Sequence, residues 1–480
     1  MTHRLRRVSV IYLYALSLIL GLCFAISCHK PNGDNHVKLR FSCEDDILTF
    51  DTVFTSIGSI TRQFTVHNTS NQNITATIAL AGGERSFYSI NVNGVSGTYF
   101  KNVEIPKKDS IFIFVKVNID PSDENNPYLV KDSIEFLTDM QKQDVKLLAY
   151  GQNANYIVAD KESGYKVVAG EKETVKWTKD RPYVVYGWAV IDSTGTLIID
   201  PGTRIYFHNN SGLWAYRYSN LEVNGTLDEP VLFRGDRLES WFDEDYAQWS
   251  RIWINEGAEV SINNAIISNA FVGVQIEPLP TNEGIINITS NTVKIQNTVI
   301  KNTRNSGVIS RFLNVDMTNC VIANNGGYGL QLEGGKFTMK HLTVANYFMQ
   351  AERKTPACYV SNKVLSVQAY EQLSPIETGA EFVNCIFTGN IETEVEVKEV
   401  KGAELEASFQ NCLVKSKNSA DFFIACLRNE DPKFEDVKKL DFRLQSSSPA
   451  IGKGKPNIDV LLDILGNPRG DLPDIGAYQY

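Results

Sequence analysis

The chain is poor in the features that most often fix a function at sight. Its eight cysteines form no C-x-x-C pair and no regular spacing, which excludes a disulfide framework. The one long apolar run, Ile11–Ile26 behind Arg4, Arg6 and Arg7, is too short and wrongly flanked for an ordinary membrane span. Apolar stretches beyond it are brief, β-branched and bounded by turn residues, so long helices are not expected. Positive charge is also short. Taking Arg4, Arg6 and Arg7 from the 47 basic residues leaves 44 against 56 acidic ones, a net charge near −12. That balance argues against nucleic acid and against anionic lipid as a main partner, and it weakens any binding of polyuronates.

What is present is repetition. Six segments stack without a gap: V-S-I-N-N-A-I-I-S-N from Val260, V-K-I-Q-N-T-V-I-K-N from Val293 and V-D-M-T-N-C-V-I-A-N from Val315. F-T-M-K-H-L-T-V-A-N from Phe337, A-E-F-V-N-C-I-F-T-G from Ala380 and A-S-F-Q-N-C-L-V-K-S from Ala407 complete the set. Their fifth column holds Asn264, Asn297, Asn319, His341, Asn384 and Asn411; the tenth adds Asn269, Asn302, Asn324 and Asn346. Spacing near 22 residues with an amide in one column indicates a solenoid of stacked coils. Asparagine tolerates the left-handed turn conformation and both donates and accepts, so the column reads as a structural ladder with amides bonding along the axis. The coil from Val315 divides into strands Val315–Thr318, Cys320–Ala323 and Gly329–Leu332, three per coil: a parallel β-helix. Cys320, Cys385 and Cys412 share the sixth column and read as small apolar fillers.

Spacing breaks in two places. Asn264 to Asn297 is 33 residues, with a loop around Glu277–Thr292. His341 to Asn384 is 43, either two coils or one with an excursion through Lys354–Glu377. Strict alternation points Ile266, Val299, Val321, Ile386 and Leu413 outward, a stripe that insertion loops must cover unless it is a partner surface.

The apolar run ends Ala25-Ile26-Ser27-Cys28, which resembles the lipobox of bacterial lipoproteins. The resemblance implies a signal peptide over 1–27 and a lipid anchor on Cys28, tethering the protein to the outer membrane at its surface or periplasmic face. Residues 28–44 then form a lipidated tether. Alternating short strands separated by turns over 45–153 suggest a β-sandwich. With Phe50-Asp51-Thr52-Val53-Phe54 and Lys146-Leu147-Leu148-Ala149-Tyr150-Gly151, the stretch resembles the immunoglobulin-like domains of Bacteroidetes-type lipoproteins. Residues 154–180 read as a linker or edge. From 181 to 480, Gly195–Thr203, Leu221–Leu227, Ser448–Gly452 and Pro473–Tyr478 resemble right-handed parallel β-helix proteins of the pectate-lyase-like superfamily, ended by a capping coil. That superfamily contains lyases, hydrolases, adhesins and scaffolds, so the likeness implies fold more than chemistry.

Candidate chemistry is sparse. The G-H-G and R-x-K motifs of polygalacturonases are absent. A lyase needs a basic proton acceptor; Lys294 beside Asp316, and Thr318 beside Lys340, are the outward pairs on adjacent coils, and a solvated pair is the plainer reading. Asp236, Glu239, Asp243, Glu244 and Asp245 could gather calcium ligands but lack EF-hand spacing, so no cofactor is expected. Aromatics crowd the same region, and Trp214, Tyr216, Trp241, Tyr246 and Trp249 are the candidate glycan contacts. No catalytic or metal residues are assigned. The expected function is a cell-envelope lipoprotein whose non-catalytic β-helix binds glycan or an envelope protein, or serves as a scaffold. The alternative is a polysaccharide lyase or glycoside hydrolase.

Overall fold

The computed structural model describes residues 39–480 except 56–58, 60, 121–127, 140, 281–287, 365–366, 368–369 and 371–372. The signal peptide expected over 1–27, Cys28 and the tether up to residue 38 lie outside the described residues. Those described are all-β, with four single-turn 3-10 segments and no α-helix. They divide into two compact units, one mainly of residues 56–120 and 129–150 and the other mainly of 151–480.

The first unit carries two five-stranded sheets with antiparallel registers. One orders Leu39–Phe41, Arg62–Asn68, Ser110–Val117, Tyr88–Val92 and Val95–Gly97. Alternate residues point inward, and Phe41 and Phe64 of this sheet meet Phe136 of the other at 4.9 and 6.4 Å between ring centres. The strand Leu39–Phe41 falls in the stretch expected to be tether. Its Leu-Arg-Phe alternation buries both apolar side chains, which is why it joins the sheet.

The second unit is a parallel β-solenoid. Its strands recur in threes and sort into sheets of eleven, nine and ten, each strand pairing in parallel with the next coil's equivalent. Coiling starts earlier than the expected residue 181. Asn155–Val158, Tyr165–Ala169 and Thr174–Trp177 form a complete first coil, because each short apolar strand finds its partner one coil on. The 43-residue interval is one coil with an excursion, since Phe337 pairs with Ala380 and Thr343 with Ile386. Inside the bore, like stacks on like: Phe382 on Phe409 at 4.3 Å and 10°, with Ile262, Ile295, Met317 and Met339 in one buried column.

Every fifth-column residue, Asn264, Asn297, Asn319, His341, Asn384 and Asn411, has φ between 48° and 57°. That left-handed conformation turns the chain sharply from the ten-stranded to the eleven-stranded sheet, and it favours asparagine over branched residues. The amides bond each other only in part. Asn319 donates to Asn297 at 3.3 Å, but Asn297 donates to Asn263 rather than Asn264.

Most of the remaining capacity goes to the C-terminal segment. Asn411 donates to the Lys453 carbonyl, Asn384 to that of Lys455, and Asn319 to that of Leu462. The segment expected to close the solenoid as a capping coil instead runs along its side. There Phe434, Phe442, Leu444, Ile464 and Ile475 cover Val321, Ile386 and Leu413 of the outward stripe. The cover expected from insertion loops therefore comes from the chain's end. An exposed apolar stripe of that length would cost too much to leave in water.

Candidate functional site

Outward side chains of the nine-stranded sheet form a continuous row. In register across six consecutive coils stand Trp214, Trp253, Gln275, Ile309, Gln331 and Tyr359, a span of about 24 Å at normal strand spacing. Trp214 and Trp253 stack at 4.7 Å and 19°, while Trp188 of the preceding coil lies at 70° and 54° to them and stays out of the stack. Gly212 makes this possible. A Cβ there would meet the Trp188 ring at 2.5 Å, so only glycine lets the indole lie across the next strand.

Beside this row runs a charged one. Arg311 donates to Glu277 at 2.7 Å from one nitrogen and to Glu333 at 3.1 Å from another. Gln331 donates to Glu333 at 3.0 Å, Gln275 donates to Glu277, and Arg251 donates to Gln275. Glu333 is 1% exposed and both partners of Arg311 are buried. Burial pulls the Arg251 guanidinium below its usual value, against the opposing charge of Glu277. The cover comes from the two excursions: the Tyr370 hydroxyl donates to the Pro278 carbonyl at 2.8 Å, and its ring packs edge-on to Phe312. The result is a satisfied network of alternating charge, flanked by aromatics at both ends.

The expected glycan contacts are scattered. Trp214 and Tyr216 adjoin this row, 5.5 Å apart between ring centres, and the Trp214 indole donates to Asn255. Trp249, expected at the surface, is instead part of the core. It is 1% exposed, stacks on Phe207 at 4.3 Å inside the bore and donates to the Ser268 carbonyl, so no ligand can reach it. Trp241 is 51% exposed on the acidic insertion, and Tyr246 packs on Phe348 with Arg304 over its ring.

The acidic insertion is tied down by the tenth-column amides. Asn269 and Asn302 both donate to the Asp243 carbonyl. Its side chains are paired: Asp236 hydrogen-bonds His208 at 2.7 Å, Asp243 meets Arg234, and Glu239 meets Arg237. Among the described residues no three histidine, cysteine or acidic side chains converge as a metal site. Burial raises the Asp236 carboxyl, against the pull of His208.

Lys294 and Asp316 sit in register on the ten-stranded face, as do Thr318 and Lys340. Lys294 lines an open groove of about 610 Å³ with Glu222, Glu259, Asn220 and Ser261. Two carboxylates in that groove oppose the approach of a uronate, which weakens the lyase chemistry there.

Trp188, Gln275, Glu277, Arg311, Gln331 and Glu333 were not among the candidates. The gapless stack covers two strands of each coil, and the third follows a turn of variable length. Aligning V-Q-I-E from Val274, V-I-S-R from Val308 and L-Q-L-E from Leu330 would have exposed the polar columns.

No family model matches the chain, and no curated protein does. Among solved structures, similarity is reported to a family 123 glycoside hydrolase from Clostridium perfringens, at 9% identity and TM-score 0.18 over 25% of this chain and 26% of that one. The catalytic domain of a GH87 α-1,3-glucanase aligns at 11% identity and TM-score 0.16, over 76% and 85%. The PapD-like domain of human CEP192 aligns at 11% and 0.17, over 24% and 85%. The chain thus spans about a quarter of the first hydrolase, and scores this low carry no argument.

Proposed function

We propose that this is a cell-envelope lipoprotein, anchored through an acylated Cys28, whose solenoid binds an extended glycan along the nine-stranded face without cleaving it. The observation that carries the reading is the cluster of three partly exposed indoles, Trp188, Trp214 and Trp253, on consecutive coils at the N-terminal end of that face. Sugars bind by apolar contact with rigid aromatic rings, and successive rings on adjacent coils suit successive sugars of a polymer. Because the facing surfaces of Trp214 and Trp253 are spent on each other, Trp188 and the row's edges are the contact surface. A binding rather than cleaving role is favoured because Arg311 engages both carboxylates of the row. The reading invokes no cofactor.

It includes an immunoglobulin-like assignment for the antiparallel unit and a right-handed winding for the coils. The second is supported by the strong preference of parallel crossovers for that hand.

A second reading, glycoside hydrolysis, is favoured by one feature. Glu277 and Glu333 flank Arg311 from two coils apart, and because both bind its guanidinium their carboxylate oxygens lie at most about 8 Å from each other, within the range an inverting pair requires. One experiment separates the two. Residues 29–480 are screened on a glycan array, and retained glycans are then assayed for new reducing or unsaturated ends. Retention lost in Trp188→Ala, with no new ends, supports binding. New ends abolished by Glu333→Gln support hydrolysis, and neither retention nor cleavage refutes both.

A further inference from the structure

We propose that the outer face of the first antiparallel sheet docks on an anionic lipid surface, Phe112 and Phe114 entering the interface and Arg40 and Lys116 meeting the headgroups. The two phenylalanines lie on the central strand Ser110–Val117, at alternate positions of the same face, and are 51% and 38% exposed. Cross-strand neighbours are small and uncharged: Thr65 beside Phe112, Gln63 and Asn91 beside Phe114, Ser89 beside Lys116. Phe114 and Lys116 border a depression of about 400 Å³ with Asn91 and Ser96. Arg40 is exposed on the edge strand.

Charge on this sheet is segregated. Its five strands contain Arg40, Arg62 and Lys116 and no aspartate or glutamate, whereas the opposing sheet balances Glu104, Asp132, Glu135 and Asp144 against Lys101, Lys131, Lys142 and Lys146. In a chain with 56 acidic residues that separation gives one face a sign opposite to the whole. In a chain of negative net charge, a face with basic and no acidic strand residues is the one an anionic bilayer would attract, and that attraction would orient this unit.

Phenylalanine favours lipid over sugar as the occupant. It has no polar handle for hydroxyl groups, while its ring suits the boundary between headgroups and acyl chains. Chain length agrees. Leu39, which opens the sheet's edge strand, follows Cys28 by eleven residues, a reach of at most about 40 Å. An acylated Cys28 would hold the face within that distance of the bilayer, and to that extent the inference rests on the lipoprotein reading.

The test uses residues 29–480, unacylated, sedimented with vesicles of phosphatidylglycerol and phosphatidylcholine or of phosphatidylcholine alone. Binding to the anionic vesicles is expected, weakening as salt rises. It should fall about tenfold in Phe112→Ser/Phe114→Ser and also in Lys116→Glu, with unchanged thermal melts. No binding to anionic vesicles, equal binding to neutral ones, or binding unaffected by the substitutions would overturn the inference. So would a solution dimer that the phenylalanine substitutions dissolve. The mass of Cys28 in membrane-extracted protein is a separate readout: an unmodified thiol would remove the anchor while leaving vesicle docking to stand on its own result.

Discussion

His341 shows how one substituted rung carries a cost. Its Nδ1 lies 3.2 Å from the Gly476 carbonyl and its Nε2 3.1 Å from the Asn384 amide nitrogen, so the neutral ring donates at one side and accepts at the other. Burial, reinforced by the charge of Arg469, lowers its pKa to about 3. A histidine depressed in the folded state gives stability that is full above the unfolded value of about 6.5 and lost as pH falls toward 3. Between pH 7 and pH 4 the loss should be roughly 3 kcal/mol. Denaturant titrations at the two pH values check it: His341→Asn should lose markedly less than the parent, and equal losses would show that His341 does not titrate with unfolding. Trp249 and Trp241 make a second contrast. Trp249→Ala removes a buried ring stacked on Phe207 and should cost about 3–5 kcal/mol, whereas Trp241→Ala should stay within about 0.5 kcal/mol. Thermal melts of the two variants suffice.

At the scale of elements, the two asparagine columns act as fasteners for segments laid on the solenoid's exterior. Asn384 accepts from the Lys455 backbone at 2.6 Å and donates to its carbonyl at 2.9 Å. Asn384→Ala should therefore raise hydrogen exchange across 450–477 more than in the coils beneath, and unchanged exchange there would deny the fastening role. The strands and turns of these columns were legible in the sequence, since V-D-M-T-N-C-V-I-A-N shows its buried Met317 and Ile322 by alternation and its turn by Asn319. The use of the amides was not. Which segment returns from 134 residues away to meet Thr343 depends on surface complementarity, as in the bond from the Ala477 nitrogen, and leaves no local pattern. The site was legible in part for a related reason. Trp214 and Tyr216 stood out by composition, but Trp249 carries the same composition and faces the bore, because it lies before the strand Ile252–Ile254 and escapes the alternation that turns Trp253 outward. Gly212 belongs here too: Gly212→Ala should displace the Trp188 ring and weaken glycan retention while leaving the eleven-stranded sheet intact. A retention assay alongside circular dichroism reads both.

For the whole molecule, a parallel solenoid turns a short repeat into a long axis, and two of its faces meet different fates. The eleven-stranded face is sheathed in its later coils by the chain's end, and the charged row of the nine-stranded face lies under the two excursions. The indole row, at that face's N-terminal end, retains partial exposure at Trp188, Trp214 and Trp253. Oxidative footprinting of the six tryptophans, with and without a glycan that the protein retains, tests the central claim residue by residue. The account predicts protection of Trp188, Trp214 and Trp253, no change at Trp241, and no reaction at Trp249 in either state. Protection confined to Trp241, or absent from all three indoles of the row, would contradict it.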